Sequence, residues 1–200
     1  QTGGLSHRTA MKHYAITGGI GSGKSFVCSL LKSRGIDVYD CDAAAKRLMA
    51  CDEQLQDQLQ QLVGKEVYLN GVLQKRVLAA YLLKSEHNKQ AVDEVVHPAV
   101  AADFLRSDYQ WLESAILFDS GFNRRVTFDF VVCVSAPEEV RVMRVMQRDG
   151  ISREKALEWI HRQWRQERVE QLSDFVIVND GRQDLDVQVS ALLSAAGTIQ

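Results

Sequence analysis

The sequence is short of long apolar runs and of net charge, and each shortage excludes a class of protein. No stretch approaches about 18 consecutive apolar residues, so we expect no membrane-spanning helix. The formal net charge is −2, with 24 Lys and Arg residues against 26 Asp and Glu residues. This balance predicts no general affinity for nucleic acid or for acidic membranes, so any anion site must be local.

Cysteines are also few, and they are not paired in sequence. The four of them, at positions 28, 41, 51 and 133, form no CxxC motif and no zinc-ligand spacing. We therefore predict reduced thiols in a cytoplasmic protein. Residues 1–10 lack the apolar segment of a signal peptide, and we expect a disordered leader there. The composition indicates one globular unit. We expect a monomer or a small homo-oligomer, a state that the composition does not decide.

Five segments are typical of β-strands, and they alternate with segments of helical periodicity. They lie at residues 14–17, 36–39, 114–118, 128–134 and 175–178. This alternation favours an α/β fold with a five-stranded parallel sheet flanked by helices. Residues 43–112 are more than one crossover helix needs, so we predict a helical insertion there. Residues 149–173 form a second excursion from the sheet, and we predict a mobile cover there. The core would then comprise residues 11–42, 113–148 and 174–200.

The most specific motif is the glycine-rich segment GGIGSGKS at residues 18–25. It matches GxxxxGK(S/T), the phosphate-binding P-loop, and it follows an apolar strand and precedes a helix-compatible stretch. Glycines allow a tight loop whose N–H groups point at phosphate oxygens, and the helix adds its positive end. Lys24 would reach the β and γ phosphates, and the Ser25 hydroxyl would bind Mg²⁺. The motif predicts nucleoside triphosphate binding.

Acidic residues follow two of the predicted strands. Asp40 and Asp42 come after the second strand, where an extended chain would direct both carboxylates to one side. A carboxylate here would accept a proton from a hydroxyl acceptor or hold Mg²⁺ through water. Asp42 would also suit the cap of a helix that begins near residue 43, and the two roles can coexist. Asp119 ends the third predicted strand, either as a Walker B acid near the metal or as a solvated strand-end acid. Ser120 follows it, where motor ATPases commonly have glutamate, and this favours transfer to a substrate over hydrolysis.

Arginines form two stripes at helical spacing. One stripe is Arg141, Arg144 and Arg148, and the other is Arg162, Arg165 and Arg168. Guanidinium groups beside a nucleotide site suit a transition state whose charge spreads over phosphoryl oxygens. The alternative is a pair of solvated helix faces.

His97 immediately precedes Pro98. A residue before proline disfavours helical conformation, so we predict a sharp break in the inserted segment at this point. From its position alone, His97 is either a turn residue or a functional residue, and the turn is the simpler interpretation.

The order and spacing of these motifs resemble the dephospho-CoA kinase family over residues 11–195. The shared segments are TGGIGSGKS from Thr17, DVYDCD ending at Asp42, NGVLQKRVL from Asn70, HP at 97, MQRDG at 146 and VNDG at 178. The resemblance implies transfer of phosphate from ATP, with Mg²⁺, to the ribose 3'-hydroxyl of dephospho-CoA, the last step of coenzyme A synthesis. It also implies a P-loop kinase fold in which residues 43–112 bind the acceptor and residues 149–173 form a lid.

The resemblance further assigns roles to single residues. Catalysis would fall to Asp42 as general base, with Lys24 and Arg148 on the phosphates. The acceptor would contact Asp42, His97, Asp119 and Arg165, and Ser25 would bind magnesium. The nucleotide site would comprise Gly19, Ile20, Gly21, Ser22, Gly23, Lys24, Ser25, Phe26, Arg144, Arg148 and Asn179.

Two positions depart from the family pattern. The family's third strand usually ends with Pro-Leu-Leu, a short spacer and Glu, whereas this chain has Asp119, whose side chain reaches about 1.5 Å less. Phe26 stands where a small hydroxyl residue is common, and its bulk is expected to alter packing beneath the nucleotide.

Two alternatives are weighed against this interpretation. A nucleoside or nucleoside-monophosphate kinase would share the core and the lid, and only its acceptor would differ. A GTPase switch protein requires DxxG and NKxD, yet the chain has no DxxG, and Asn88-Lys89-Gln90-Ala91 lacks the aspartate.

Overall fold

A five-stranded parallel sheet lies at the centre of the protein in the computed structural model, which describes residues 11–197. The predicted leader at residues 1–10 lies outside the described residues. The strands are β1 Tyr14–Thr17, β2 Val38–Asp40, β3 Tyr68–Leu69, β4 Val72–Leu73, β5 Trp111–Glu113, β6 Phe130–Ser135 and β7 Phe175–Val178. The large sheet has the order β2-β5-β1-β6-β7 with parallel pairing throughout, and β3 and β4 form a separate antiparallel hairpin.

Helices flank this sheet and fill the two excursions from it. They are α1 Lys24–Lys32, α2 Cys41–Cys51, α3 Glu53–Val63, α4 Lys75–Lys84, α5 Glu86–Arg106, α6 Glu138–Asp149, α7 Arg153–Arg162, α8 Gln166–Gln171 and α9 Leu185–Ala195. The predicted α/β fold with a helical insertion is confirmed, since α2 to α5 lie between β2 and β5. Among residues 11–197, the helices include none that is both long and apolar enough to cross a membrane.

Two apolar clusters cover the two faces of the sheet. Ile16 points into one cluster with Leu31 of α1 and Leu192 of α9, all three fully buried. Leu112 of β5 points into the other cluster, where it packs with Phe104 of the insertion. Full burial of such a side chain stabilises the fold by about 1.5–3 kcal/mol. A parallel sheet needs this cover on both faces, and the insertion supplies it on one of them.

The third strand of the sheet lies earlier than predicted. The prediction of a strand at 114–118 is wrong, because β5 occupies Trp111–Glu113 and residues 115–121 form turns. Val38 pairs with Trp111 and Ile16 pairs with Glu113, so β5 is fixed between its two neighbours. Leu117 is nevertheless fully buried, which explains why residues 114–118 are as apolar as a strand.

The predicted break at His97 is also wrong, because α5 continues through Pro98. A proline inside a helix costs about 3 kcal/mol relative to alanine. Here the buried stripe of Val92, Val96, Val100 and Phe104 holds the helix against the core, while Pro98 itself is exposed. His97 is therefore a helical residue and not a turn residue.

Candidate active site

The P-loop joins β1 to α1 in a conformation that only glycine adopts readily. Gly18, Gly21 and Gly23 have φ angles of 147°, 79° and 88°. A Cβ atom at Gly23 would lie 2.2 Å from Nδ2 of Asn179, so this position has no room for a side chain. Among the side chains of residues 11–197, none caps the start of α1 at Gly23. The first amides of α1 and the positive end of its dipole are therefore available to an anion.

Arg144 and Asn179 brace the loop from the side of β7. Arg144 donates to the carbonyl oxygens of Gly21 and Ser22 at 3.2 and 3.3 Å, and to Asn179 O at 3.0 Å. Asn179 Nδ2 also donates to Ser22 O at 2.9 Å. The structure thus brings these two predicted nucleotide-site residues together on the loop backbone.

Ile20, on the other side of the loop, is held by two side chains. Its N–H donates to Oε1 of Gln163 at 2.8 Å, and its carbonyl accepts from Nε of Arg141 at 2.9 Å. Gln163 lies in the predicted lid, between α7 and α8. No sequence motif points to Gln163, because a single glutamine matches none.

An acidic cluster lies beside Lys24 at the carboxyl edge of the sheet. Asp40 ends β2 opposite Glu113, and its side chain caps α2 by accepting from Ala43 N at 2.9 Å. The alternative in which Asp42 caps this helix is wrong, as is the extended conformation predicted for it, because α2 begins at Cys41 and Asp40 is its N-cap. Asp42 lies in the first turn of α2, exposed. Its carboxylate stays available for other chemistry.

Glu113 is a site residue that sequence reasoning missed. Its Oε1 lies 3.8 Å from Nζ of Lys24, and the two side chains are only 17% and 12% exposed. Burial raises the pKa of Glu113, Lys24 lowers it, and the charges of Asp40 and Asp42 raise it further. The signal was present, since an acid ending Trp-Leu-Glu stands beside the predicted strand. The segment after it, residues 114–118, is more apolar, and the strand is therefore predicted there.

This raised pKa makes the stability of the protein depend on pH. The folded state holds the Glu113 proton more tightly than the unfolded chain does, so this residue's contribution is lost as pH rises from 4.5 through the raised pKa. We expect Glu113→Gln to raise the unfolding temperature at pH 7, with a gain that vanishes below pH 4.5. Thermal unfolding across this range tests it, with Glu94→Gln on the exposed side of α5 as control. A variant less stable than the native protein at every pH would contradict the expectation.

His97 faces the same region from α5. Its side chain is 15% exposed, its ring lies 5.8 Å from that of Phe122, and Nε2 is 3.5 Å from Asp93 Oδ1. Burial lowers the pKa of His97, and the charges of Asp93 and Asp42 oppose this shift. The charge of Asp42 raises the pKa of both His97 and Glu113, so each of these two side chains lies within electrostatic range of Asp42.

Asp119 does not end a strand, which corrects the Walker B interpretation. It lies in the turn after β5, and its Oδ2 accepts from the backbone N–H of Trp164 at 2.8 Å. The carboxylate thus ties the turn to the predicted lid. The acid that ends the strand beside β1 is Glu113.

This contact predicts different effects for two substitutions of Asp119. Asp119→Ala removes the acceptor, and a lost hydrogen bond of about 1 kcal/mol should speed amide exchange at Trp164 about fivefold. Asp119→Asn keeps an acceptor oxygen, so exchange should stay within about twofold of the native rate. Hydrogen exchange resolved at Trp164 measures both, with the native protein as reference. If Asp119→Asn abolished turnover while Trp164 stayed protected, the carboxylate charge would matter instead.

The other predicted residues lie further out. Arg148 is 60% exposed and its ion pair is with Asp149. Arg165 is exposed before α8 and borders a cleft of about 500 Å³ between α6 and the predicted lid. Phe26 is 55% exposed, so its bulk does not enter the packing beneath the loop. The structure does not bring Arg148 to the P-loop.

Oxygen donors for a cation are few but present. Ser25, whose side chain carries a hydroxyl, lies in the first turn of α1 beside Lys24. The carboxylates of Asp40 and Glu113 lie on neighbouring strands. Within residues 11–197, no group of three or more His, Cys, Asp or Glu residues is arranged to hold a metal. Mg²⁺ is usually bound through one or two protein oxygens together with phosphates and water, and this donor set fits it.

The fold and the site define a P-loop kinase. Its fold matches the dephospho-CoA kinase from Campylobacter jejuni, with a TM-score of 0.64 and 21% identity over 94% of this chain and 98% of that chain. It also matches shikimate kinase from Acinetobacter baumannii, with a TM-score of 0.57 and 14% identity over 95% and 96% of the two chains. Identities this low establish the fold alone.

Closer relatives identify the family. The dephospho-CoA kinase family matches residues 13–184. A dephospho-CoA kinase from Bacteroides fragilis is 40% identical over 186 residues, which cover 90% of each chain. The crystal structure of TT1252 from Thermus thermophilus has a TM-score of 0.76 and 32% identity over 94% of this chain and 98% of that chain. The chain belongs to the dephospho-CoA kinase family.

Proposed function

We propose that this protein transfers the terminal phosphoryl group of ATP to the ribose 3'-hydroxyl of dephospho-CoA, giving coenzyme A and ADP. The observation that carries the proposal is the convergence of the P-loop, Lys24 and the Asp42 carboxylate at one edge of the sheet, in a chain that belongs to the dephospho-CoA kinase family. In the reaction, the hydroxyl oxygen forms a bond to phosphorus, the bond to the ADP oxygen breaks, and the hydroxyl proton goes to a base.

The donor half of the site consists of the P-loop and its braces. We assign the phosphates to the loop backbone at residues 19–26 and to Lys24, whose ammonium group would neutralise charge on the transferring group. Ser25 would hold Mg²⁺, which supplies charge neutralisation at the phosphates when bound. Arg144 and Asn179 would form the nucleoside end, and their hydrogen bonds to the carbonyl oxygens of Gly21 and Ser22 support this assignment.

The acceptor half faces it from the insertion. We assign Asp42 as the general base, since its carboxylate is exposed and free of the capping role that Asp40 fills. His97 would help to hold the acceptor, supported by a buried Nδ1 atom that has no hydrogen-bond partner among the described residues. Direct acceptor contacts by Asp119 and Arg165, and a catalytic role for Arg148, stay predictions. The same holds for the domain boundaries, the cytoplasmic location and the oligomeric state.

An acceptor screen tests the function. With ATP and Mg²⁺ present, we expect ADP release that depends on dephospho-CoA, detected by coupled oxidation of NADH. Nucleosides and nucleoside monophosphates should give no more than background. Robust turnover of a nucleoside, without turnover of dephospho-CoA, would overturn the acceptor assignment and favour a nucleoside kinase on the same fold.

A further inference from the structure

Arg141, a member of the first predicted arginine stripe, is a buried cation without a role in the proposed function. It lies on α6 and is only 5% exposed. Its Nε donates to Ile20 O, while its buried Nη2 has no hydrogen-bond partner among residues 11–197. Burial lowers the pKa of Arg141, and the acidic residues that oppose this shift are Glu138 and Glu167. Neither of them forms an ion pair with it in the part of the chain that the structure describes.

A buried guanidinium without an anionic partner is unfavourable in the free protein. The unfavourable desolvation is offset when an anion binds, because the charge then gains a partner in a region of low dielectric. An arginine that is nine-tenths buried beside a phosphate loop therefore indicates a place for an anion. The free Nη2 atom shows which part of the loop that anion would contact.

The free Nη2 atom lies against one edge of the P-loop, the Gly19–Ile20 lip. A Cβ atom at Gly19 would be 2.2 Å from Nη2 and 3.0 Å from Oε1 of Gln163. That same Oε1 accepts from Ile20 N. The lip thus presents two donors, the Ile20 N–H and Arg141 Nη2. An acceptor oxygen, Oε1 of Gln163, already lies beside this lip.

The position along the loop indicates which phosphate would contact this lip. At Gly23, the loop meets Asn179 after β7, which is the nucleoside side of our assignment. At Gly19, a small cavity connects the loop to Arg141, Gln163 and the turn after β5, whose Ala115 and Asp119 also line it. The turn after β5 follows a strand that neighbours β2, and α2 with the proposed base Asp42 follows β2, so we take the Gly19 end of the loop as the end nearer the acceptor. The terminal phosphate is the one that reaches furthest toward the acceptor.

We propose that Arg141 is a phosphate-binding residue whose Nη2 contacts the terminal phosphate of the bound nucleoside triphosphate at the Gly19–Ile20 lip. The inference rests on the proposed donor site, but it does not depend on the identity of the acceptor. It predicts that Arg141 distinguishes a triphosphate from a diphosphate. A purely structural arginine, which only holds the Ile20 carbonyl, would affect both nucleotides equally.

Calorimetric titration with a non-hydrolysable ATP analogue and with ADP tests this. A charge-assisted hydrogen bond contributes about 1.5–3 kcal/mol, so Arg141→Gln should weaken analogue binding at least about tenfold and ADP binding by less than about threefold. Arg34→Gln is the matched control, since it removes one positive charge from an exposed ion pair with Asp186 and should change neither affinity. Equal weakening of both nucleotides, or of neither, would overturn the proposal.

A second variant protects the test against misfolding. Arg141→Lys keeps the charge but not the forked donor geometry, so it should lower the preference for the analogue over ADP by about threefold. A preference equal to that of the native protein would contradict the role of Nη2. Both titrations omit the acceptor, so a failure of the dephospho-CoA assignment would leave their outcome unchanged.

Discussion

Asp42→Asn is expected to keep nucleotide binding while its turnover of dephospho-CoA falls by about 10²- to 10⁴-fold, the usual contribution of a general base. The amide has nearly the shape of the carboxylate but cannot accept the hydroxyl proton. Asp40 provides the cap of α2, so the substitution leaves that hydrogen bond intact. The loss of turnover should therefore occur without loss of fold.

Two aspartate variants make this result specific. Asp57→Asn, on the exposed side of α3, removes the same charge and should leave kcat unchanged. Asp40→Asn keeps the cap, because asparagine caps helices about as well as aspartate, and should lower kcat by less than about tenfold. The measurements are kcat with saturating dephospho-CoA and the affinity for a non-hydrolysable ATP analogue. If Asp42→Asn kept kcat within about threefold of the native value, Asp42 would only complement the dipole of α2.

Local signals were sufficient for the P-loop, which forms the proposed donor half of the site. Gly18, Gly21 and Gly23 adopt the positive φ angles that a P-loop requires, and this requirement is visible in the sequence. The strands predicted at 14–17 and 175–178 have the observed bounds, because both are short apolar runs between turn residues. The parallel five-stranded sheet followed from their alternation with helices.

The rest of the candidate site depends on tertiary packing, which local patterns do not report. Glu113 ends β5 because this strand pairs with β1 and β2, although the residues that follow it are more apolar. His97 is helical because the buried stripe of α5 outweighs the local effect of Pro98. Asp119 acts through a backbone N–H 45 residues further along the chain. Such contacts have no signature at any one sequence position.

Lys24→Met is expected to lower kcat by about 10²- to 10³-fold, the usual loss when one preorganised donor at a reacting oxygen is removed. Methionine keeps an unbranched apolar stem in a position where the native side chain is only 12% exposed, so packing changes little. Lys32→Met, on the exposed side of the same helix, removes an equal charge and should retain full activity. Steady-state kinetics of all three proteins measure the effect. A kcat within about threefold of the native value for Lys24→Met would contradict it.

The same substitution should also destabilise the free protein through Glu113. Lys24 is the cation that lowers the pKa of this buried carboxyl group, while burial, Asp40 and Asp42 all raise it. Without Lys24, the carboxylate at pH 7 is buried among like charges, which is more costly than a buried pair. Adding Glu113→Gln removes that charge, so the double variant should unfold at a higher temperature than Lys24→Met while its kcat stays low. A double-mutant cycle of thermal stability measures this coupling, and additive effects would show that the two side chains do not interact.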